Sequence, residues 1–175
     1  MRTVGQPFPE FASQSCVGPD LGSLCEINSG TIRGQWAVFV FYPKDFTFVC
    51  PTELVEFNNS LAAFAERGAK VFGGSTDNEY SHMAWCESHP QLKGLKYPLL
   101  AANKLANDLG ILDDVEYVCQ RATFIVDPEG IIQWAGIYNT KVGRSTAEVL
   151  RVLDALQSDG LTPCNWQKGD AFVNA

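Results

Sequence analysis

Apolar and polar positions follow different periods along this chain, and the periods divide it into elements. Trp36-Ala-Val-Phe-Val-Phe-Tyr42 is an almost unbroken apolar run of β-branched and aromatic residues that stops at Pro43, the pattern of a short strand buried on both faces. Beyond it, Leu54, Phe57, Leu61 and Phe64 recur at spacings of three and four, the stripe of an amphipathic helix ending near Gly68. Ala69 to Gly74 reads as a second short strand, and Ser75-Thr-Asp77 as the cap of a helix running through Trp85 and Cys86. Pro98-Leu-Leu100 is a short buried segment, and Asn103 to Leu109 a short helix closed by Gly110. Two strands, Ala122 to Val126 and Ile131 to Ala135, flank the β-turn residues Asp127-Pro-Glu-Gly130 and predict a hairpin. Ser145 opens a last helix, with Glu148 three residues on as in a capping box and Val149, Leu150, Leu153 and Leu156 as its apolar stripe. Strands alternating with helices predict an α/β fold with a parallel sheet and crossover connections.

The ends of the chain are patterned differently. Residues 1 to 35 are rich in Gly, Pro, Ser and Asn and read as short strands and loops, in which Cys16 and Cys25 are incidental and could bridge one another only under oxidation. The tail from Leu161 to Asp170 is too polar and turn-rich to be core, yet it carries a lone Cys164 and Trp166. At 175 residues one domain is expected, and a net charge of −7 argues against nucleic acid or an anionic membrane as a main partner. Met1 to Pro9 lack the pattern of a secretory signal, and no apolar run approaches spanning length, so a cytoplasmic protein is expected. The six cysteines contain no C-x-x-C pair and no paired histidines, which argues against a zinc site.

The strand-to-helix junction, Phe41-Tyr-Pro-Lys-Asp-Phe-Thr-Phe-Val-Cys-Pro-Thr-Glu53, carries the candidate chemistry. Cys50 lies near the helix cap, Pro51 is a favoured first helical residue, and Glu53 stands as in a capping box. Free backbone N–H groups and the positive helix end favour a thiolate there, the form that attacks electrophiles. Thr47 offers a hydroxyl to a substrate or to the sulfur, and Pro43 stiffens the loop while withholding an N–H. A buried structural thiol is the competing reading of Cys50, and junction geometry alone leaves the two open.

Pro43, Thr47 and Cys50 stand in the order P-x-x-x-T-x-x-C within F-x-F-V-C-P-T-E, a string that closely resembles the active-site signature of typical two-cysteine peroxiredoxins, the group that includes bacterial alkyl hydroperoxide reductase C. Further stretches resemble the same family: Ser75, Asp77, Ser81, His82, Ala84 and Trp85; then Arg121, Thr123, Phe124, Ile125, Asp127, Pro128 and Gly130; then Gly143-Arg144; then Cys164, Trp166 and Gly169. Val126 is a conservative departure, and Pro163 and Asn165 replace the usual Val and Pro around Cys164 with the spacing intact.

The resemblance implies a thioredoxin-like fold, a central mixed sheet flanked by helices with an N-terminal extension, over residues 1–160, and a tail over 161–175. It implies a thiol-dependent peroxidase acting on hydrogen peroxide and organic hydroperoxides without metal or organic cofactor. In it Cys50 is peroxidatic and becomes a sulfenic acid, Cys164 of a second subunit resolves it as an intersubunit disulfide, and an external dithiol protein, of thioredoxin or flavoprotein-reductase type, reduces that bond. Pro43 shields the thiolate, Thr47 and Arg121 orient the peroxide, Arg144 lies nearby, and His82, which by itself invites a general-base role, is a surface or packing residue. Cys119 is unusual for the family. The expected assembly is a homodimer and, beyond it, a ring of dimers such as a decamer. The chain stops at Ala175 without the extra helix of over-oxidation-sensitive eukaryotic members, which implies relative resistance. A holdase chaperone and a non-enzymatic redox relay are the other readings; Pro43, Thr47 and Arg121 together favour the enzyme.

Overall fold

In a computed structural model of the protein, which describes residues 1–173, β3 (Trp36–Phe41) is the central strand. Its unbroken apolar run follows from its place. Val38 and Val40 face one core with Leu54, Phe57 and Leu153, while Phe39 and Phe41 face a second with Phe72, Leu105 and Phe124. No face of this strand is left for a polar residue.

The other elements are β1 (Ala12–Cys16), β2 (Cys25–Asn28), α1 (Ser29–Ile32), α2 (Val49–Asn59), α3 (Leu61–Glu66), β4 (Ala69–Ser75), α4 (Glu79–Ser88), β5 (Leu99–Ala101), α5 (Asn103–Leu109), β6 (Arg121–Val126), β7 (Ile132–Tyr138) and α6 (Thr146–Leu156). The sheet order is β2-β1-β5-β4-β3-β6-β7. β3, β4 and β5 run parallel, joined by helical crossovers, whereas β6 pairs antiparallel with β3 and β7, and β1 antiparallel with β2 and β5. The sheet is therefore mixed and flanked by helices, as expected, and the leading region adds β1 and β2 along one edge.

Several local expectations are met and several are corrected. The helix Asn103–Leu109 ends on Gly110 at φ 71°, a conformation glycine adopts without Cβ strain. Ser145 caps α6 by accepting from the Glu148 amide, but the Glu148 carboxylate pairs with Arg151 instead of closing a capping box. The stripe from Leu54 to Phe64 spans two helices broken at Ser60, and both contribute buried phenylalanines. Asn78, not Ser75 or Asp77, caps α4 by accepting from the Ser81 amide. Cys16 and Cys25 face opposite sides of the β1–β2 ribbon: Cys25 is opposite Ser15, with Oγ and Sγ 3.3 Å apart, while Cys16 turns into the core. That orientation speaks against a bridge between them.

Candidate active site

The chain leaves β3 at Phe41, turns through Pro43 to Phe48, and enters α2 at Val49. Cys50 is thus the second residue of α2, not its cap; the capping position is Phe48, and no side chain satisfies the first amides there. The free N–H groups expected at this junction are present as the fold builds it. Cys50 is 1% exposed and lies at a cavity of about 240 Å³ that Pro43, Lys44, Thr47, Arg121 and Thr140 also line. Four residues chosen from the sequence, Pro43, Thr47, Cys50 and Arg121, meet around one space.

Arg121, the first residue of β6, is 3% exposed and aims Nη1 at Cys50 Sγ at 3.4 Å. Its Nε donates to the Thr140 carbonyl at 2.8 Å, and Nη1 also donates to Glu53 Oε2 at 2.6 Å. Thr47 Oγ1 donates to the Lys44 carbonyl at 3.0 Å, which leaves its oxygen lone pairs free to accept. Lys44 pairs with Glu116 at the rim, joining the loop to the segment between α5 and β6.

Glu53 corrects an expectation. It does not reach back to cap α2; its carboxylate is buried, 4% exposed, and binds both arginines. Arg144 gives it a backbone N–H at 2.9 Å, Nε at 2.9 Å and Nη2 at 2.8 Å, and uses Nη1 on the carbonyls of Phe41 at 2.8 Å and Ala122 at 3.0 Å. Burial pushes the Glu53 carboxyl up, but the hydrogen bonds and charge of Arg144, with the charge of Arg121, outweigh it and hold the carboxyl below its ordinary range. Two buried guanidinium groups thus share one buried carboxylate, leaving one net positive charge beside the Cys50 sulfur. The available sign was spacing: three residues after Cys50 on a helix, Glu53 lies on the same side as the thiol.

The remaining cysteines are placed elsewhere. Cys119 is fully buried in the core with Phe41 and Phe124, and burial, reinforced by the charge of Asp77, pushes its thiol up to about 12. Cys16 is raised further by its hydrogen bond with Cys86 and by burial. Cys164 is exposed, in a separate cavity of about 490 Å³ beside α6 and Trp134. The fold does not bring Cys50 and Cys164 of one chain into one cavity. The tail is nonetheless seated: Trp166 is 4% exposed, stacks on Phe172 and accepts at its carbonyl from Arg151 Nη1 at 3.1 Å.

The profile of the AhpC/TSA family matches residues 4–135. The chain belongs to the AhpC/TSA family. It is 44% identical to alkyl hydroperoxide reductase C of Mycolicibacterium smegmatis, over 100% of this chain and 95% of that one. Among solved structures, Mycobacterium bovis AhpC superposes with a TM-score of 0.86 at 40% identity, covering 95% of this chain and 99% of that chain. Plasmodium vivax 2-Cys peroxiredoxin in its reduced form gives 0.89 at 36% identity, covering 98% and 93%. The α/β, thioredoxin-like architecture expected from the resemblance is the architecture of these AhpC/TSA-type neighbours.

Proposed function

We infer that this protein is a thiol-dependent peroxidase whose nucleophile is Cys50. The observation that carries the assignment is the Arg121 guanidinium 3.4 Å from Cys50 Sγ beside a cavity also lined by Pro43 and Thr47. The full-length identity to an alkyl hydroperoxide reductase supports the reaction class. The sulfur anion attacks the terminal oxygen of hydrogen peroxide or an organic hydroperoxide; an S–O bond forms, the O–O bond breaks, and the leaving oxygen takes a proton and departs as water or alcohol. Sulfur is oxidised to sulfenic acid and the peroxide oxygens are reduced. Arg121 stabilises charge moving onto the leaving oxygen, Thr47 accepts from the peroxide O–H, and Arg144 fixes Arg121 through Glu53.

Cys164 of a second copy then attacks the sulfenic sulfur. An S–S bond forms, the S–O bond breaks, and the hydroxyl leaves as water with the thiol proton. A dithiol protein reduces the disulfide by exchange. A disulfide needs Cα atoms within about 7 Å, and Cys50 is buried, so the first turn of α2 unwinds in each cycle. Residues 161–175 form the unit that delivers Cys164, of which 174–175 lie outside the described residues. The assembly is a homodimer able to form rings, and the protein is cytoplasmic; among the described residues no helix is long and apolar enough to cross a membrane.

The test is peroxide consumption with a dithiol reductant, together with non-reducing gels and peptide mass mapping after one equivalent of peroxide. Cys50→Ser is expected to abolish consumption, and Cys164→Ser to abolish the peroxide-dependent dimer while leaving the first oxidation intact. Full consumption by Cys50→Ser, or a Cys50 disulfide to another thiol, would overturn the corresponding assignment.

A further inference from the structure

The second sequence stretch, Ser75 through Trp85, has no part in the cavity beside Cys50, yet its polar residues converge on one loop residue beside that cavity. Asp45 lies between Pro43 and Thr47 but is 6% exposed, with its side chain turned away from the peroxide cavity. Its Oδ1 accepts from Tyr42 Oη at 2.9 Å; its Oδ2 accepts from Ser81 Oγ at 3.1 Å and lies 2.8 Å from His82 Nδ1. Its backbone N–H donates to Asp77 Oδ2 at 2.9 Å, an oxygen that also accepts from Ser75 Oγ at 2.7 Å. His82, 0% exposed, uses Nε2 on the Leu100 carbonyl at 3.0 Å, so α4 and β5 both brace the imidazole that holds Asp45. His82 is thus neither a surface residue nor next to the reacting sulfur.

The loop does not hold its shape unaided. Phe46, next to Asp45, sits at φ 54°, a costly conformation for a bulky side chain that persists only when its surroundings impose it. Its ring lies against Trp85 of α4, centroids 6.1 Å apart, and Thr47 ties back to Lys44. A buried carboxylate released from its donors loses their full stabilisation, so the loop is set either fully engaged or open.

We propose that Asp45 is a latch, with His82 and Ser81 as its positioning residues: engaged, it holds Pro43 and Thr47 over Cys50 for peroxide attack, and released, it frees the loop for disulfide formation. The inference rests on Cys50 as the peroxidatic thiol. It predicts opposite changes in two steps of one cycle. Weakening the latch slows oxidation, because an orienting group displaced by ~1 Å can lose up to ~100-fold in rate. The same change speeds disulfide formation and lowers the fraction of Cys50 trapped as sulfinic acid.

The experiment is stopped-flow tryptophan fluorescence on the full chain mixed with hydrogen peroxide, resolving the oxidation and disulfide phases, with mass spectrometry of over-oxidised Cys50. His82→Leu is expected to slow the first phase about tenfold and speed the second several-fold, within that range. His82→Asn, which retains a short N–H where Nδ1 stood, is expected to recover most of both. Should His82→Leu fail to fold, Ser81→Ala removes one donor from a half-buried position and should move both phases in the same directions by less. A core variant matched to His82→Leu in Tm, Leu92→Ala, separates a latch from general loosening, and should leave the ratio of the phases at its wild-type value. Unchanged phases in both His82→Leu and Ser81→Ala, or both phases falling together, would overturn the latch. Cys50→Ser in the same apparatus should show neither phase; if it shows both, the peroxidatic assignment itself fails, whatever the His82 variants do.

Discussion

The two segments that carry Cys50 and Cys164 are held in opposite ways. Around Cys50 the sulfur, Arg121, Glu53 and Arg144 are buried, and each guanidinium is fixed by a carboxylate and at least one strand or loop carbonyl. Around Cys164 the thiol is exposed, and the tail is seated by one buried indole, a single Arg151 hydrogen bond and the loose Lys168–Asp154 pair at 3.5 Å. In the proposed cycle, a site that stabilises developing charge needs preorganised donors in a dry setting, whereas a thiol that meets a second chain needs access. On that reading the difference separates the step that depends on fixed geometry from the step that depends on motion.

The sharpest way to break the contrast is to remove the shared carboxylate. Glu53→Ala leaves two buried guanidinium groups without a counter-charge and is expected to cost about 3–5 kcal/mol, read in urea melts. Glu53→Gln gives the milder, pH-resolved form. Because the folded carboxyl lies below its ordinary value, its contribution is present above the unfolded pKa of about 4.3 and is lost as pH falls through the lower folded value. Melts between pH 6 and pH 3 should show a smaller acid-dependent loss in the glutamine variant than in wild type, the remainder coming from other carboxylates held below their ordinary range, such as Asp113 and Glu148.

Arg121→Lys comes next. A lysine keeps the charge but not the fork that serves sulfur, Glu53 and Thr140 together, and peroxide oxidation of Cys50 should slow about 100-fold, the scale of losing one transition-state donor. The smallest effect belongs to the tail. Arg151→Gln removes the bond to the Trp166 carbonyl and should change global stability by about 1 kcal/mol or less. Disulfide formation should slow a few-fold with oxidation unchanged, measured by quenched-flow alkylation.

Elements made of local pattern were legible in the sequence: the doubly buried β3, the helix closed by Gly110, the Asp127–Gly130 hairpin and the Ser145 cap. Partnerships across the chain were not. Ser75 and Asp77 satisfy the usual pattern of a helix start, and only the fold shows that they bind the Asp45 loop while Asn78 caps α4. Glu53 fits a capping box equally well on paper, and a guanidinium supplied by β6 and another just before α6 decided otherwise. Nothing in its local sequence marks Asp45 as buried, and its burial depends on partners more than thirty residues away. Non-local pairing also determined that β1 lies beside β5, an adjacency absent from any spacing rule.

Arg144 carries one further consequence. Its Nη1 bonds the carbonyls of Phe41 and Ala122, each one step past Val40 and Thr123, where the pairing of β3 with β6 ends. Arg121 likewise hangs from β6 and the Thr140 carbonyl. Both cations therefore keep carbonyl anchors on the sheet side of the site in addition to their bonds to Glu53 of the helix that bears the sulfur. In the proposed cycle, when the first turn of α2 melts and re-forms, these carbonyl anchors keep the two guanidinium groups near their places, and the returning helix re-docks Glu53 onto them to rebuild the reactive geometry.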